Sequence, residues 1–186
     1  IILFVGRLNQ RKGADLIVDA FIRVTKQEPD AHLILVGPTD TDLVGSLVAK
    51  LDNVNLKAQV TQAGLVVDVE KYYQIADVFV FPSRREGFGN AVLEAYSTET
   101  PCVLTPFVGL PDEFGVAEEH YLLAEHDADA IAVQIKRILD SPELAESLSR
   151  RAKQLVTKTS GVESSLSALA SVFGSLVGDR EISQHL

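Results

Sequence analysis

The sequence predicts an α/β fold: a Rossmann-like, doubly wound and mainly parallel sheet with helices on both faces and a helical C-terminal segment. Short apolar runs rich in β-branched residues alternate with segments whose apolar residues recur at helical spacing. Continuous apolar runs are typical of strands that are buried on both faces of a parallel sheet. The alternation of strand and helix then implies right-handed crossovers between parallel strands.

The first half of the chain supplies three predicted strands and two predicted helices. The apolar run from Ile1 to Val5 predicts the first strand. Helical spacing that begins at Ala14 predicts a helix that continues until Pro29. The second strand, the next helix and the third strand are predicted at residues 32–36, 42–51 and 54–60.

The second half begins with the same alternation and becomes wholly helical beyond Asp127. A helix is predicted at 69–75, strands at 77–81, 101–105 and 121–123, and helices at 130–139, 144–155 and 162–176. The tail from Gly178 is polar. We therefore expect one domain over residues 1–160, a C-terminal helix over 161–177 and a tail over 178–186.

Composition limits the possible functions. A chain of 186 residues with 46% hydrophobic and 23% charged residues can bury one good core. Its net charge of −9 argues against nucleic acid or an anionic membrane as the partner of the whole surface. The single cysteine, Cys102, lies in an apolar strand, which favours a buried structural thiol and a reducing compartment. Since no apolar run reaches membrane-spanning length and the start lacks the basic-then-apolar order of a signal peptide, we expect a cytoplasmic protein without membrane insertion.

The predicted site is organised around residues 78–95. This stretch begins as an apolar strand, breaks at Pro82, turns through two glycines and continues as helix-favouring sequence. Glu86 and Glu94 flank the N-terminus of that helix, whose free N–H groups favour an anion. Because carboxylates accept hydroxyls, a ligand with both phosphate and hydroxyl groups, such as a nucleotide sugar, suits the arrangement.

Two cations are expected near the same edge of the sheet, because ligands bind beyond the carboxyl ends of parallel strands. Arg7 and Lys12 follow the first strand and offer a fork and a point charge for a diphosphate. Arg11 is adjacent and could take the place of either. Each feature alone also has a simpler interpretation: a solvated basic loop for the cations, and an ordinary tight turn for Gly87 and Gly89.

Other common sites lack their sequence signatures. No Gly-x-Gly-x-x-Gly follows the first strand, and no Walker motif is present. No Gly-x-Ser-x-Gly occurs, and the four histidines have no metal-ligand spacing. We therefore expect neither a metal site nor a serine hydrolase.

At these residues the sequence resembles the retaining glycosyltransferases of the GT-B architecture, a large family called glycosyl transferases group 1. The matching segments are, in order, 4–8 with 12–13, 33–37, 72–83, 86–89 with 94–95, 109–111 and the helix that contains 142–144. They cover nearly all of residues 1 to about 155. The chain is similar to the C-terminal, donor-binding domain of such an enzyme.

The resemblance implies a role for each candidate residue. Arg7 and Lys12 would hold the donor diphosphate, Glu86 would contact the sugar hydroxyls and so complete the catalytic set, and Glu94 would contact the ribose. The other donor-binding positions are Gly6, Gly37, Leu65, Val67, Gly87, Phe88, Gly89 and Asn90. Among these, Gly37 and the segment 65–67 would lie near the nucleobase.

The family chemistry implied here is transfer of a sugar with retention of configuration. A nucleoside-diphosphate sugar is the substrate, no metal or other cofactor is needed, and front-face displacement is assisted by the cations. Electrostatic stabilisation of the departing diphosphate would then supply the catalytic energy.

Some positions depart from the family pattern. Glu99 stands where a small residue is expected, which removes an easy helix C-cap. Val108-Gly109 stands in place of a double glycine, and the following acid is Asp112. Residues 59–63 are interpreted as an insertion or a divergent loop.

The chain begins on a strand and contains no methionine, which leads us to expect a fragment of a longer protein. Its missing N-terminal domain would be a partner, on which the helix at 161–177 would pack, and the fragment alone would turn over little or nothing. One alternative is a non-catalytic nucleotide- or sugar-binding module on the same fold. Within enzymes, an epimerase or a phosphorylase of similar architecture stays open, although no motif for a pyridoxal cofactor is present.

Overall fold

The computed structural model describes residues 1–39, 41–107 and 114–159 and contains a six-stranded sheet. The strands are β1 (Ile2–Val5), β2 (Leu33–Val36), β3 (Val60–Gly64), β4 (Val78–Phe81), β5 (Cys102–Leu104) and β6 (Leu122–Leu123). They lie in the order β3-β2-β1-β4-β5-β6, and every pairing is parallel. The chain winds outward from β1 in one direction and from β4 in the other, so the order reverses between these two central strands.

In the described part of the chain, six helices pack on the two faces of the sheet. They are α1 (Ala14–Val24), α2 (Thr41–Asn53), α3 (Val69–Gln74), α4 (Asn90–Ser97), α5 (Ala128–Asp140) and α6 (Pro142–Thr159). Alternate strand residues point to opposite faces, so Phe4 and Val80 pack with α1 and α5, whereas Leu3 and Phe79 pack with α3 and α4. The predicted fold class, a doubly wound parallel sheet with helices on both faces, is confirmed.

The third strand is the main error of the sequence-based assignment. The structure has a turn at Asn55 and a short 3₁₀-helix at Lys57–Gln59, and β3 begins only at Val60. Residues 59–63, interpreted above as an insertion or a divergent loop, therefore belong largely to this strand. Since β3 lies at the edge of the sheet and exposes Thr61 and Gln62, it lacks the apolar run that marks a central strand.

Most other boundaries differ from the predictions by one to three residues, but two helices differ by more: α6 runs to Thr159, four residues beyond its predicted end, and α1 is shorter than predicted. It ends at Val24, well before Pro29, in a turn whose Glu28 N–H donates to the carbonyl of Val24. Proline excludes a helix at and after its own position but does not require one to continue up to it. The predicted helix at 162–176, the domain divisions beyond 160, and the motif positions Gly109 to Asp112 lie outside the described residues.

Glu99 occupies the left-handed position that follows α4, with φ of 57°. The amide of Thr100 donates to the carbonyl of Ala95 at 2.9 Å, which closes the helix as a glycine C-cap would. A residue with a Cβ atom adopts this conformation at a cost of roughly 1 kcal/mol. The departure from the family pattern therefore affects the stability of this turn and leaves its geometry intact.

Two further predictions concern the thiol of Cys102 and the absence of membrane-spanning helices. Cys102 is fully buried on β5, and burial raises the pKa of its thiol, as suits a structural residue. Within the described part of the chain, none of the helices combines the length and the apolar composition needed to cross a membrane.

Candidate functional site

A cleft of about 330 Å³ opens at the carboxyl edge of the sheet, where the strand order reverses. The segment that follows β1, residues 6–13, forms one side of it and is called the β1 loop. The segment that follows β4, residues 82–89, forms the other side together with the start of α4 and is called the β4 loop. The cleft is thus built where doubly wound folds place their ligands.

The two loops are fastened to each other on the outer side of the cleft. The Arg84 guanidinium donates two hydrogen bonds to the carboxylate of Asp15, at 2.7 and 2.8 Å, and a third to the carbonyl of Gln10 at 2.5 Å. The amide of Arg84 donates to the carbonyl of Arg11 at 2.9 Å. Ser83, which is fully buried, donates to the carbonyl of Arg85 at 3.1 Å within the β4 loop. The loops therefore form one unit.

Gly13 permits the closest approach between these loops. It has φ of +76°, and a Cβ atom built on it would lie 2.1 Å from the carbonyl oxygen of Pro82. Any other residue would need both a strained backbone and a displaced β4 loop. The glycine therefore fixes the position of its neighbour Lys12 relative to the β4 loop.

Lys12 and Glu86 form an ion pair across the cleft. Their side chains are only 19% and 12% exposed, so the pair is shielded from solvent on most sides. The amide of Gly87 donates to the other Glu86 oxygen at 2.9 Å, and the amide of Lys12 donates to Asn9 Oδ1 at 3.0 Å. The cleft therefore presents a cation and a carboxylate that are both held by backbone contacts.

The N-terminus of α4 supplies a second positive element. Gly89 precedes the helix with φ of +87°, and no side chain caps the helix there. Asn90 and Ala91, the first two helical residues, both line the cleft. The N–H groups of a first helical turn have no partner within the helix and carry the positive end of its dipole, so they favour an anion.

Glu94 lies further along α4 and extends into the cleft from this helix. The hydroxyl of Tyr73, on α3, lies 3.0 Å from Glu94 Oε2 and 3.1 Å from the carbonyl oxygen of Ala91. Burial raises the pKa of Tyr73, and the neighbouring Glu94 charge raises it further, so the phenol keeps its proton and acts as a donor. The sequence motif contains Tyr73, but no spacing in the sequence indicates its contact with Glu94.

The structure brings seven of the predicted site residues together in this cleft: Gly6, Lys12, Glu86, Phe88, Gly89, Asn90 and Glu94. The other five, Arg7, Gly37, Leu65, Val67 and Gly87, do not line it. Arg7 and Gly87 are exposed on the loops beside it. Leu65 and Val67 are 81% and 98% exposed in the loop after β3. The binding roles of all twelve remain predictions.

Metal chemistry has no candidate among the residues that the structure describes. Nowhere in ranges 1–39, 41–107 and 114–159 do three His, Cys, Asp or Glu side chains group in a way that could hold an ion. The ring of His32, the residue before β2, instead lies 2.8 Å from Thr61 Oγ1 through its Nε2 atom.

We expect the Arg84–Asp15 pair, which links the β4 loop to the start of α1, to depend on pH in the acid range. Partial burial opposes ionisation of Asp15, but the hydrogen bonds and charge of Arg84 outweigh it and hold the pKa of Asp15 below its ordinary value of 3.8. Its contribution to stability is therefore present above about pH 4 and is lost as pH falls through the lowered pKa. Because the pair is partly exposed, Asp15→Asn should lower the free energy of unfolding at pH 7 by only about 1 kcal/mol.

The test of this link is denaturant unfolding of both proteins at pH 7 and pH 3. The deficit of Asp15→Asn should shrink at the lower pH, because pH 3 lies below the ordinary pKa of 3.8, so the unfolded wild type binds a proton there that the ion-paired folded state resists. Glu118→Gln is the matched control, since Glu118 forms a bidentate but more exposed pair with Arg137 and touches neither loop. A deficit of Asp15→Asn that is the same at both pH values would contradict the assignment.

Known proteins resemble this chain in sequence. The sequence model of the family described as glycosyl transferases group 1 matches residues 1–155. The lipopolysaccharide core biosynthesis mannosyltransferase LpcC of Rhizobium leguminosarum bv. viciae is 28% identical over 177 residues, which cover 94% of this chain and 50% of that protein. This chain spans half or less of the length of three curated relatives that it matches, namely 41%, 50% and 40%.

Two solved structures share the fold. Anabaena Alr3699/HepE, solved in complex with UDP, has a TM-score of 0.85 and 20% identity, over 94% of this chain and 48% of that one. The C-terminal domain of the glycosyl transferase group 1 family protein LpcC from Francisella tularensis has a TM-score of 0.78 and 23% identity. That match covers 87% of this chain and 86% of the other.

Proposed function

The chain belongs to the glycosyl transferases group 1 family, and from this premise we propose that it is the donor-binding part of a glycosyltransferase. The donor would be a nucleoside-diphosphate sugar, and the sugar would be transferred to an acceptor with retention of configuration. The acceptor site and the opposite wall of the cleft would come from residues outside this chain.

One observation supports this proposal more than any other: the cleft combines two positive elements with two carboxylates at the reversal of strand order. Lys12 and the N-terminus of α4 suit a diphosphate. Glu86 and Glu94 would repel a phosphate but accept hydrogen bonds from hydroxyl groups. A nucleotide sugar has its diphosphate between two polyhydroxyl groups, the sugar and the ribose, so it matches both pairs of features.

We assign the parts of the donor accordingly. The diphosphate would contact Lys12 and the first N–H groups of α4, with the exposed Arg7 beside it. Glu86 would accept hydroxyls of the transferred sugar, and Glu94 would accept those of the ribose. The apolar side chains of Leu65 and Val67, exposed at the same edge of the sheet, would lie near the nucleobase. The UDP complex of Alr3699/HepE, which has the same fold, supports a nucleoside diphosphate as the ligand.

Binding of the diphosphate would rearrange the ion pair of the free protein. Lys12 is paired with Glu86 in the structure, so an incoming phosphate competes for its ammonium group. Once the phosphate accepts from Lys12, the Glu86 carboxylate is free to accept from the sugar. After the exchange Lys12 is paired with a phosphate and Glu86 is hydrogen-bonded to hydroxyls, which limits the free-energy cost of breaking a shielded pair.

In the transfer step, the bond between the anomeric carbon and the diphosphate oxygen breaks while the acceptor oxygen forms a new bond to that carbon. The electron pair of the broken bond leaves with the diphosphate, and the acceptor proton would pass to the departing diphosphate oxygen on the same face. Lys12, Arg7 and the dipole of α4 would stabilise the charge that develops on the leaving oxygen. Front-face departure and attack would account for retention.

Calorimetric titration of the 186-residue chain with UDP, GDP and ADP tests donor binding. We expect one of the three to bind with a dissociation constant on the order of 0.1 mM, and the corresponding nucleoside to bind more weakly. Circular dichroism checks that the chain is folded. Absence of binding to all three by the folded chain would overturn the proposal, and sugar transfer by the longer protein separates an enzyme from a non-catalytic binding module.

A further inference from the structure

We propose that Tyr73 is a positioning residue, which fixes the carboxylate of Glu94 in the orientation that accepts hydroxyls of the donor ribose. The inference rests on the proposed function, because it assigns an indirect role in the same site. It concerns a side chain that does not line the cleft and that touches a residue which does.

The contact between the two side chains joins two helices. Tyr73 lies on α3 and Glu94 on α4, and the Tyr73 hydroxyl is 3.0 Å from Glu94 Oε2. A hydrogen bond to a charged acceptor is stronger than one to a neutral carbonyl, so the proton is directed to Glu94 rather than to Ala91. The bond therefore restrains one carboxylate oxygen of an otherwise exposed side chain.

Tyr73 is well suited to this restraint because it is itself held rigidly. Its side chain is 1% exposed, and its ring packs edge-on against Phe79 with the ring centres 5.3 Å apart. The hydroxyl of Thr100 donates to its backbone carbonyl at 3.0 Å. The phenol oxygen is therefore placed by the core of the domain, in the way that supporting groups orient the ligating residues of a site.

The effect on Glu94 is a loss of conformational freedom before the ligand arrives. A glutamate side chain that is free in solvent loses rotamer entropy when it binds a ligand. With Oε2 held by Tyr73, the remaining oxygen, Oε1, is left to accept from a ligand at a smaller entropic cost. The raised pKa of Tyr73 supports the same geometry, since the phenol stays a donor throughout the physiological range.

A role limited to packing makes a different prediction. In that case Tyr73→Phe would alter stability but would leave the preference for ligands that carry ribose hydroxyls unchanged. The comparison therefore needs ligands that differ only in those hydroxyls. UDP, GDP and ADP and their 2′,3′-dideoxy counterparts meet this requirement.

Tyr96→Phe is the matched control. Tyr96 is also fully buried, and it lies on the same helix as Glu94, but its hydroxyl donates to the carbonyl of Phe114 at 3.0 Å. Each substitution removes one oxygen atom from a buried tyrosine. They differ in whether that oxygen contacts Glu94.

The experiment measures the affinity of the wild type and both variants for each ligand pair by calorimetry. Tyr73→Phe should reduce the preference for the ribose form over the dideoxy form by about three- to tenfold, and Tyr96→Phe should leave it unchanged. In the background of Glu94→Ala, Tyr73→Phe should cause no further loss of this preference, because the two residues act in one contact.

The outcomes separate the two proposals. If the wild type binds none of the diphosphates, the proposed function is overturned and the inference falls with it. If the wild type binds with a preference for ribose that Tyr73→Phe does not change, the positioning role alone is overturned. Equal losses in Tyr73→Phe and Tyr96→Phe would likewise reduce Tyr73 to a packing role.

Discussion

Lys12→Ala is expected to weaken binding of the preferred nucleoside diphosphate by about 10- to 100-fold, and binding of the matching nucleoside by about twofold at most. A hydrogen bond between an ammonium group and a phosphate oxygen contributes about 1.5–3 kcal/mol, and the nucleoside has no phosphate to receive it. The variant also leaves Glu86, 12% exposed, without its cation. The remaining carboxylate would repel the diphosphate and add to the loss.

The measurement is calorimetric titration of wild type and variant with diphosphate and nucleoside under the same salt conditions. Lys50→Ala is the matched control, because Lys50 also forms an ion pair, with Asp19, but lies on α2 outside the cleft. It should change neither affinity. Equal losses for diphosphate and nucleoside in Lys12→Ala would contradict a role at the phosphates, and Glu86→Gln combined with Lys12→Ala would show how much of the loss is repulsion.

The sequence predicts that Lys12 and Glu86 lie near each other although 74 residues separate them. The reason is topological: both follow strands of a parallel sheet, and the carboxyl ends of such strands meet at one edge. Apolar runs identified β1 and β4, so the edge could be located without coordinates. The periodicity of apolar residues shows which side of a strand or helix is buried. Because the strands are parallel, residues that follow different strands are then expected to lie close together.

Contacts between side chains on different helices, strands and loops cannot be predicted in that way. The Tyr73–Glu94 and Arg84–Asp15 contacts depend on the lateral placement of helices and loops, which packing decides and spacing does not show. The same limit explains the error at β3, since an edge strand with an exposed face has no apolar run to distinguish it from a loop. Sequence reasoning thus locates the cleft, while the structure identifies what holds its side chains.

Gly13→Ala is expected to lower the free energy of unfolding by about 3 kcal/mol, the largest effect on stability that we predict for a single methyl group in this chain. A left-handed residue with a Cβ atom costs roughly 1–2 kcal/mol, and relief of an overpacked contact costs a similar amount again. Here the contact is with backbone: the new Cβ would lie 2.1 Å from the Pro82 carbonyl oxygen. A side chain could rotate away, but this carbonyl can move only with the β4 loop.

Gly45→Ala is the control for this substitution, because Gly45 lies inside α2 and, apart from its chain neighbours and the adjacent backbone of the helix, no heavy atom lies within 4 Å of a Cβ placed on it. Replacing an unhindered helical glycine should stabilise the protein by about 0.5–1 kcal/mol, so the same chemical change should act with opposite sign at the two positions. Urea unfolding of both variants measures the difference, and effects within about 1 kcal/mol of each other would contradict the close approach of the loops. Since displacement of the β4 loop also separates Glu86 from Lys12, diphosphate affinity should fall in Gly13→Ala and stay unchanged in Gly45→Ala.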